Sequence, residues 1–140
     1  MDYDTVGAES FGASLRGFGL NLLVRDVAAQ VVFLETVFDM KAHQPTADFA
    51  IMRYGDQLFQ LHSDGTYHSN PLLGLVPESP PRGGGVEIRL YDSDPEDACL
   101  RAQAAGGTIL QAPADKPHGL REAYILCGNG YAWVPSTAIA

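Results

Sequence analysis

The chain carries the same local pattern twice. Residues 21–26, Asn-Leu-Leu-Val-Arg-Asp, read as a short strand ending on an aspartate that can cap a helix, and an apolar helical run follows over 27–40. Residues 87–94, Glu-Ile-Arg-Leu-Tyr-Asp-Ser-Asp, repeat the pattern, with a helical run over 98–105 and a Gly106-Gly107 stop. The two caps, Asp26 and Asp94, lie nearly half the chain apart. A repeat of that length implies two copies of one supersecondary unit sharing a core. A cleft is expected where two such copies face each other.

The remaining elements keep the same order in both halves. A first strand over 18–25 puts Leu20, Leu22 and Val24 on one face and Gly19, Asn21 and Leu23 on the other. Val27, Val31, Leu34 and Phe38 then form one stripe of an amphipathic helix. Strands over 49–54 and 57–62 meet at Gly55-Asp56 as a hairpin. Residues 63–84, with Pro71, Pro77, Pro80 and Pro81, read as a Pro/Gly-rich linker. In the second half, Ile88 and Leu90 alternate with Glu87, Arg89 and Tyr91, and Asp94-Pro95-Glu96-Asp97 opens a helix. A strand at 108–110 follows, then a hairpin of 122–127 with 131–134 around Gly128-Asn129-Gly130. The expected fold class is α+β: two β-α-β-β-β modules, 18–62 and 85–136, within one domain over 18–140. A flexible arm over 1–17 precedes it, free to dock on a partner subunit.

Composition removes several functions. Seventeen acids against nine Lys and Arg give a net charge of −8, with no basic cluster for a nucleic acid to bind. Cys99 and Cys127 are too few for a disulfide scaffold. No run approaches the ~20 apolar residues of a membrane span, and residues 1–16 lack a secretory core. A cytoplasmic protein is expected, with no membrane partner.

The order of motifs resembles the vicinal oxygen chelate superfamily of glyoxalases, bleomycin-resistance proteins and extradiol dioxygenases. The resemblance rests on Leu22-Leu23-Val24-Arg25-Asp26, Leu90-Tyr91-Asp92, the closing segment Pro117-His118-Gly119-Leu120-Arg121-Glu122-Ala123-Tyr124, and Gly130-Tyr131-Ala132-Trp133-Val134. One turn departs from the family's usual Asp-Pro-Asp-Gly and reads Cys127-Gly128-Asn129-Gly130. The resemblance implies a curved eight-stranded sheet around a cleft, with modules paired in one chain or swapped across a homodimer.

Metal-dependent members of that superfamily place four ligands on the first and last strands of each module. Carried over, those positions fall near Gly19, Gln60, Glu87 and Val134, two of which have no side-chain donor. His62 shares the strand face of Gln60 and could assist, while His43 and His68 fall in connecting segments. Divalent sites draw three or more protein donors as a rule, so neither metal nor other cofactor is expected.

The same alternation lines the cleft with Asn21, Leu23, Gln60, His62, Glu87, Arg89 and Tyr91, and the resemblance brings His118 and Arg121 to its mouth. Apolar walls with a few polar handles suit a small molecule. Glu87 and Arg89 could equally pair with each other, and Arg121 could tie down a loop through backbone carbonyls. Trp133 faces the helix side. No Gly-x-Ser-x-Gly elbow or phosphate loop occurs, and no catalytic residue is assigned.

The reading that follows is a small-molecule binding protein of the glyoxalase/bleomycin-resistance type. It would sequester an aromatic or cationic metabolite or antibiotic in the cleft between modules. The alternative is a lyase, isomerase or dioxygenase using a metal, or Glu87 as base. A third reading has the N-terminal arm fill the cleft in an assembly module.

Overall fold

The computed structural model describes residues 1–77 and 81–140. Residues 78–80 of the expected linker, Pro80 among them, lie outside the described residues. Among the described residues, eight strands are hydrogen-bonded as two four-stranded sheets. The chain divides into two compact units, Met1–Glu35 with Asp39–Leu73 and Thr36–Phe38 with Gly74–Ala140.

The first unit holds helix α1 (Ala8–Ser14), strand β1 (Asn21–Val24), most of helix α2 (Val27–Phe38) and strands β2 (Lys41–His43), β3 (Phe49–Tyr54) and β4 (Gln57–Ser63). Its strand order is β1-β4-β3-β2, with β1 and β4 parallel and the other pairs antiparallel. Asp26 caps α2 as its sequence position implies, accepting a hydrogen bond from the Ala29 amide at 3.0 Å. Removing that acceptor strands an amide of the first turn. Asp26→Ala is therefore expected to cost about 1 kcal/mol, read as a lower urea midpoint with an unchanged slope. Val27, Val31, Leu34 and Phe38 are all buried, as are Phe33 and Val37, so the apolar face is broader than one stripe.

Register fixes which side chains share a face. Asn21 pairs with Gln60, Gln60 with Ile51, and Ile51 with His43. Leu23 pairs with His62, and His62 with Phe49. Directly paired residues project to the same side, so these rows form one face. The opposite face carries Leu22, Val24, Leu61, Ala50 and Met52, all buried. β1 is shorter than expected: Gly19 and Leu20 precede it, although the Gln60 amide still donates to the Leu20 carbonyl at 3.0 Å.

The segment 1–17 is not a bare arm in this structure. It contains α1, buries Phe11, and is tied to its own unit through Asp4 and the Tyr3 and Val6 carbonyls. The expected linker likewise carries local structure, with 3-10 turns at Asp64–Tyr67 and Pro71–Leu75.

The second unit holds β5 (Glu87–Tyr91), α3 (Pro95–Ala104), β6 (Thr108–Asp115), β7 (Leu120–Leu126) and β8 (Ala132–Ala138), ordered β5-β8-β7-β6. Asp94 caps α3 through the Glu96 and Asp97 amides, with Pro95 in the first turn. α3 lies against β6, β7 and β8, burying Ala98, Cys99 and Ala102. Trp133 is fully buried, its ring 5.9 Å from Phe38 of the last turn of α2. β6 and β8 run past Leu110 and Val134, where the expected strands stopped. Both extensions pass through a proline, Pro113 and Pro135, that reads as a breaker in sequence. β6 accommodates its own at an edge, where the ladder shifts register between Gln111 and Ala114. The turn before β8 is pinned from outside: the Arg82 amide donates to the Asn129 carbonyl at 3.0 Å and the Gly83 amide to that of Gly130 at 3.2 Å.

Candidate functional site

Alternation along β5, β8 and β7 gathers a polar group on one face of the second sheet. Glu87, Arg89 and Tyr91 pair across the ladder with Ala132, Val134 and Ser136, and Ser136 pairs in turn with Glu122. Tyr124 lies two residues beyond Glu122, on the same side of β7. Glu122 is the deepest charged member, with only 2% of its side chain exposed.

A carboxylate buried that far is tolerated only with charged partners. Glu122 has one in the Arg89 guanidinium, to which it hydrogen-bonds, and His118 Nε2 lies 3.4 Å away. Burial alone would raise its pKa, but the Arg89 hydrogen bond and charge, with His118 adding to them, hold it below the ordinary value. Arg89 also donates to Glu87 Oε1 at 2.9 Å, and its guanidinium carbon lies 5.8 Å from the centre of the Tyr91 ring. Burial opposes its charge, yet the surrounding acceptors push its pKa above the usual arginine range. The Tyr124 hydroxyl donates to the same Glu87 oxygen, and this bond raises the phenol's pKa.

The assembly is asymmetric in exposure. Glu122 is sealed, whereas Glu87 is 47% exposed and Tyr91 53%. Two carboxylates share one guanidinium, so the face keeps an excess negative charge next to two aromatic rings.

In the first unit, Asn21 and Gln60 stand side by side. His62 Nε2 lies 3.1 Å from Gln60 Oε1, and its ring is flanked by Phe49 at 5.1 Å and Tyr67 at 5.3 Å. Burial lowers the His62 pKa, which favours the neutral imidazole. Leu23 is buried on this face.

The sequence-predicted residues therefore divide. Asn21, Leu23, Gln60 and His62 share the face of the first sheet, and Glu87, Arg89 and Tyr91 share that of the second. His118 joins the latter through Glu122. Arg121 does not: it points to the α3 side, where its Nε donates to Glu96 at 2.6 Å and its Nη1 to Asp115 at 3.1 Å. It ties helix to sheet through carboxylates rather than backbone carbonyls, and those contacts raise its pKa.

Glu122 and Tyr124 are functional candidates that sequence reasoning misses. The signal that could have found them is the alternation Glu122, Tyr124, Leu126 against Ala123 and Ile125, which places a carboxylate and a phenol opposite the core side.

The positions expected to chelate a metal also shift. Gly19 lies outside β1, and Val134 pairs with Arg89, so the residue across from Gln60 is Asn21 and that across from Glu87 is Ala132. The first unit thus offers two neutral amides. The second offers one carboxylate, already bonded to a guanidinium, beside a methyl group. Among the described residues no three His, Cys, Asp or Glu gather as a metal site. This donor set does not fit the divalent ion of the metal-dependent superfamily members.

No protein-family model and no curated protein matches the chain. Solved structures do. A glyoxalase/bleomycin resistance protein/dioxygenase family enzyme from Burkholderia phytofirmans superposes with a TM-score of 0.73 at 18% identity, over 86% of this chain and 96% of its own. TioX from a Micromonospora species gives 0.62 at 24% identity, over 88% of this chain and all of the other. The fosfomycin resistance protein FosX from Mesorhizobium loti gives 0.64 at 16%, over 89% and 94%. The protein has the fold of the glyoxalase/bleomycin resistance/dioxygenase group, which is the vicinal oxygen chelate fold that the motif order resembles. At these identities the likeness is one of fold, and function must be argued from the side chains.

Proposed function

We propose that the protein binds a small organic cation, a metabolite or an antibiotic, on the face of the second sheet built by Glu87, Tyr91 and Tyr124. The observation that carries this reading is the state of Glu87. Its carboxylate is half exposed, yet it is held in place by Arg89 and Tyr124, both bonding to Oε1. A fixed carboxylate beside tyrosine rings is the pairing that recognises ammonium groups. The net charge of −8 adds to it by raising the local concentration of cations.

A carboxylate-based enzyme draws less support. Glu122 is held below the ordinary carboxylate range, whereas a general base working near neutral pH requires a raised value. Glu87 is already engaged by the Arg89 guanidinium at 2.9 Å. The reading includes a cytoplasmic location, supported by two unbridged cysteines. It also includes a homodimer, supported by exposed Phe18 and Val32 on the first unit. No helix among the described residues is long and apolar enough to cross a membrane.

Calorimetric titration of the full chain with benzyltrimethylammonium and with benzyl alcohol tests the proposal. The charged probe should bind about tenfold tighter, a difference of roughly 1.4 kcal/mol. Glu87→Gln should remove that preference while keeping the fold. Equal affinity for both probes, or a preference that survives Glu87→Gln, would overturn it.

A further inference from the structure

We propose that the corner of the first unit formed by His43, Gln44 and Arg53 is a binding site for a small aromatic acid, kept filled in the resting protein by Tyr3 and Asp4. It lies on a different unit from the cation face and does not depend on that reading.

The corner is a set of aimed donors. His43 Nδ1 lies 2.7 Å from Asp4 Oδ1, while its Nε2 faces Arg53 Nε at 3.2 Å. Because Arg53 can only donate, His43 Nε2 must accept, which puts the ring proton on Nδ1, pointed at the carboxylate. Gln44 follows with φ +47°, a left-handed conformation uncommon outside glycine. In that conformation its Nε2 reaches the Tyr3 carbonyl at 2.9 Å and the Val6 carbonyl at 2.8 Å. The Tyr3 ring lies 5.6 Å from the His43 imidazole and meets Phe11 edge-on at 6.2 Å. What fills the corner is thus an aromatic ring and a carboxylate, the two groups a small aromatic acid carries, together with two backbone carbonyls held by Gln44.

Apart from the buried Phe11, the occupant is lightly held. Its anchoring carboxylate, Asp4, is 56% exposed. α1 has seven residues, too few to persist by itself. Residues 15–19, which join it to β1, are all exposed; Gly17 is at φ +73° and Phe18 is 94% exposed. The segment can therefore lift without drawing a strand from the sheet. His43 would remain on the row shared with Ile51, Gln60 and Asn21, so the vacated corner continues into the first sheet's face.

A tethered occupant weakens an outside ligand by the fraction of time the corner is open. The test is titration of the full chain with 4-hydroxyphenylacetate, followed by NMR and calorimetry. Tyr3→Ala with Asp4→Asn should tighten binding about tenfold or more over the parent, with far-ultraviolet dichroism unchanged. Adding His43→Ala should abolish the gain, and a peptide of residues 1–14 should compete with the probe. Asp4→Asn alone, a change at a half-exposed side chain, should give a smaller gain in the same direction should the double variant unfold. No gain in either folded variant, or a gain that survives His43→Ala, would overturn the proposal.

Discussion

Replacing Arg89 with alanine is expected to cost about 3 kcal/mol, because it leaves the buried Glu122 carboxylate without its main counter-charge. The figure sits at the low end for a buried pair because the Arg89 side chain is 23% exposed, and water can enter once it is gone. The pH dependence separates this cause from simple loss of packing. In the parent, the Glu122 pKa is held down, so its contribution is complete above the ordinary carboxylate value and is lost as pH falls through the depressed one. In Arg89→Ala, burial is opposed by His118 alone, and that pKa rises. The variant should then gain stability as pH drops from 7 towards 5, a range over which Glu122 makes no such change in the parent. Urea denaturation at both pH values measures the difference. Glu122→Gln in the Arg89→Ala background should recover part of the loss at pH 7 and flatten the slope.

Gly130→Ala should be similarly damaging for an unrelated reason. Gly130 has φ +80°, and a Cβ built there would come within 2.3 Å of the Pro81 Cα and 2.9 Å of its Cβ. Left-handed backbone costs an ordinary residue about 1–2 kcal/mol, and displacing packed backbone adds about 1–3 kcal/mol. A total of about 3 kcal/mol corresponds to a melting temperature roughly 10 °C lower. Gly128, in the same turn, has no positive φ, and a methyl group added to it would meet nothing within 4 Å. Gly128→Ala should therefore lie within about 0.5 kcal/mol of the parent. Thermal melts of the pair test whether the end of the linker is locked onto the β7–β8 turn.

The duplicated architecture was legible because it is written in local, strong signals. Asp26 and Asp94 cap their helices as their positions imply, and Glu87–Tyr91 is a strand with the expected bounds. The hairpin at Gly55-Asp56 stands where expected, between β3 and β4. Strand ends were less legible, since Pro113 and Pro135 read as breakers while cross-strand pairing carries both strands past them. The site was half legible. Period-two alternation put Glu87, Arg89 and Tyr91 on one face of β5, but could not tell that Arg89 reaches across β8 to Glu122. Arg121 was misplaced because a residue in a closing segment can turn to either side. The attraction of Glu96 and Asp115, distant in sequence, decides which. The seating of Tyr3 on His43 was hidden for the same reason, a contact some forty residues apart with no periodic signature.

The most direct test of the cation face is to map where a cation lands. In an NMR titration of the full chain with benzyltrimethylammonium, saturable shift changes should concentrate at the amides of Glu87, Tyr91 and Tyr124 and at the side chains of the two tyrosines. Changes that never saturate, or that fall on residues remote from Glu87, would contradict the account.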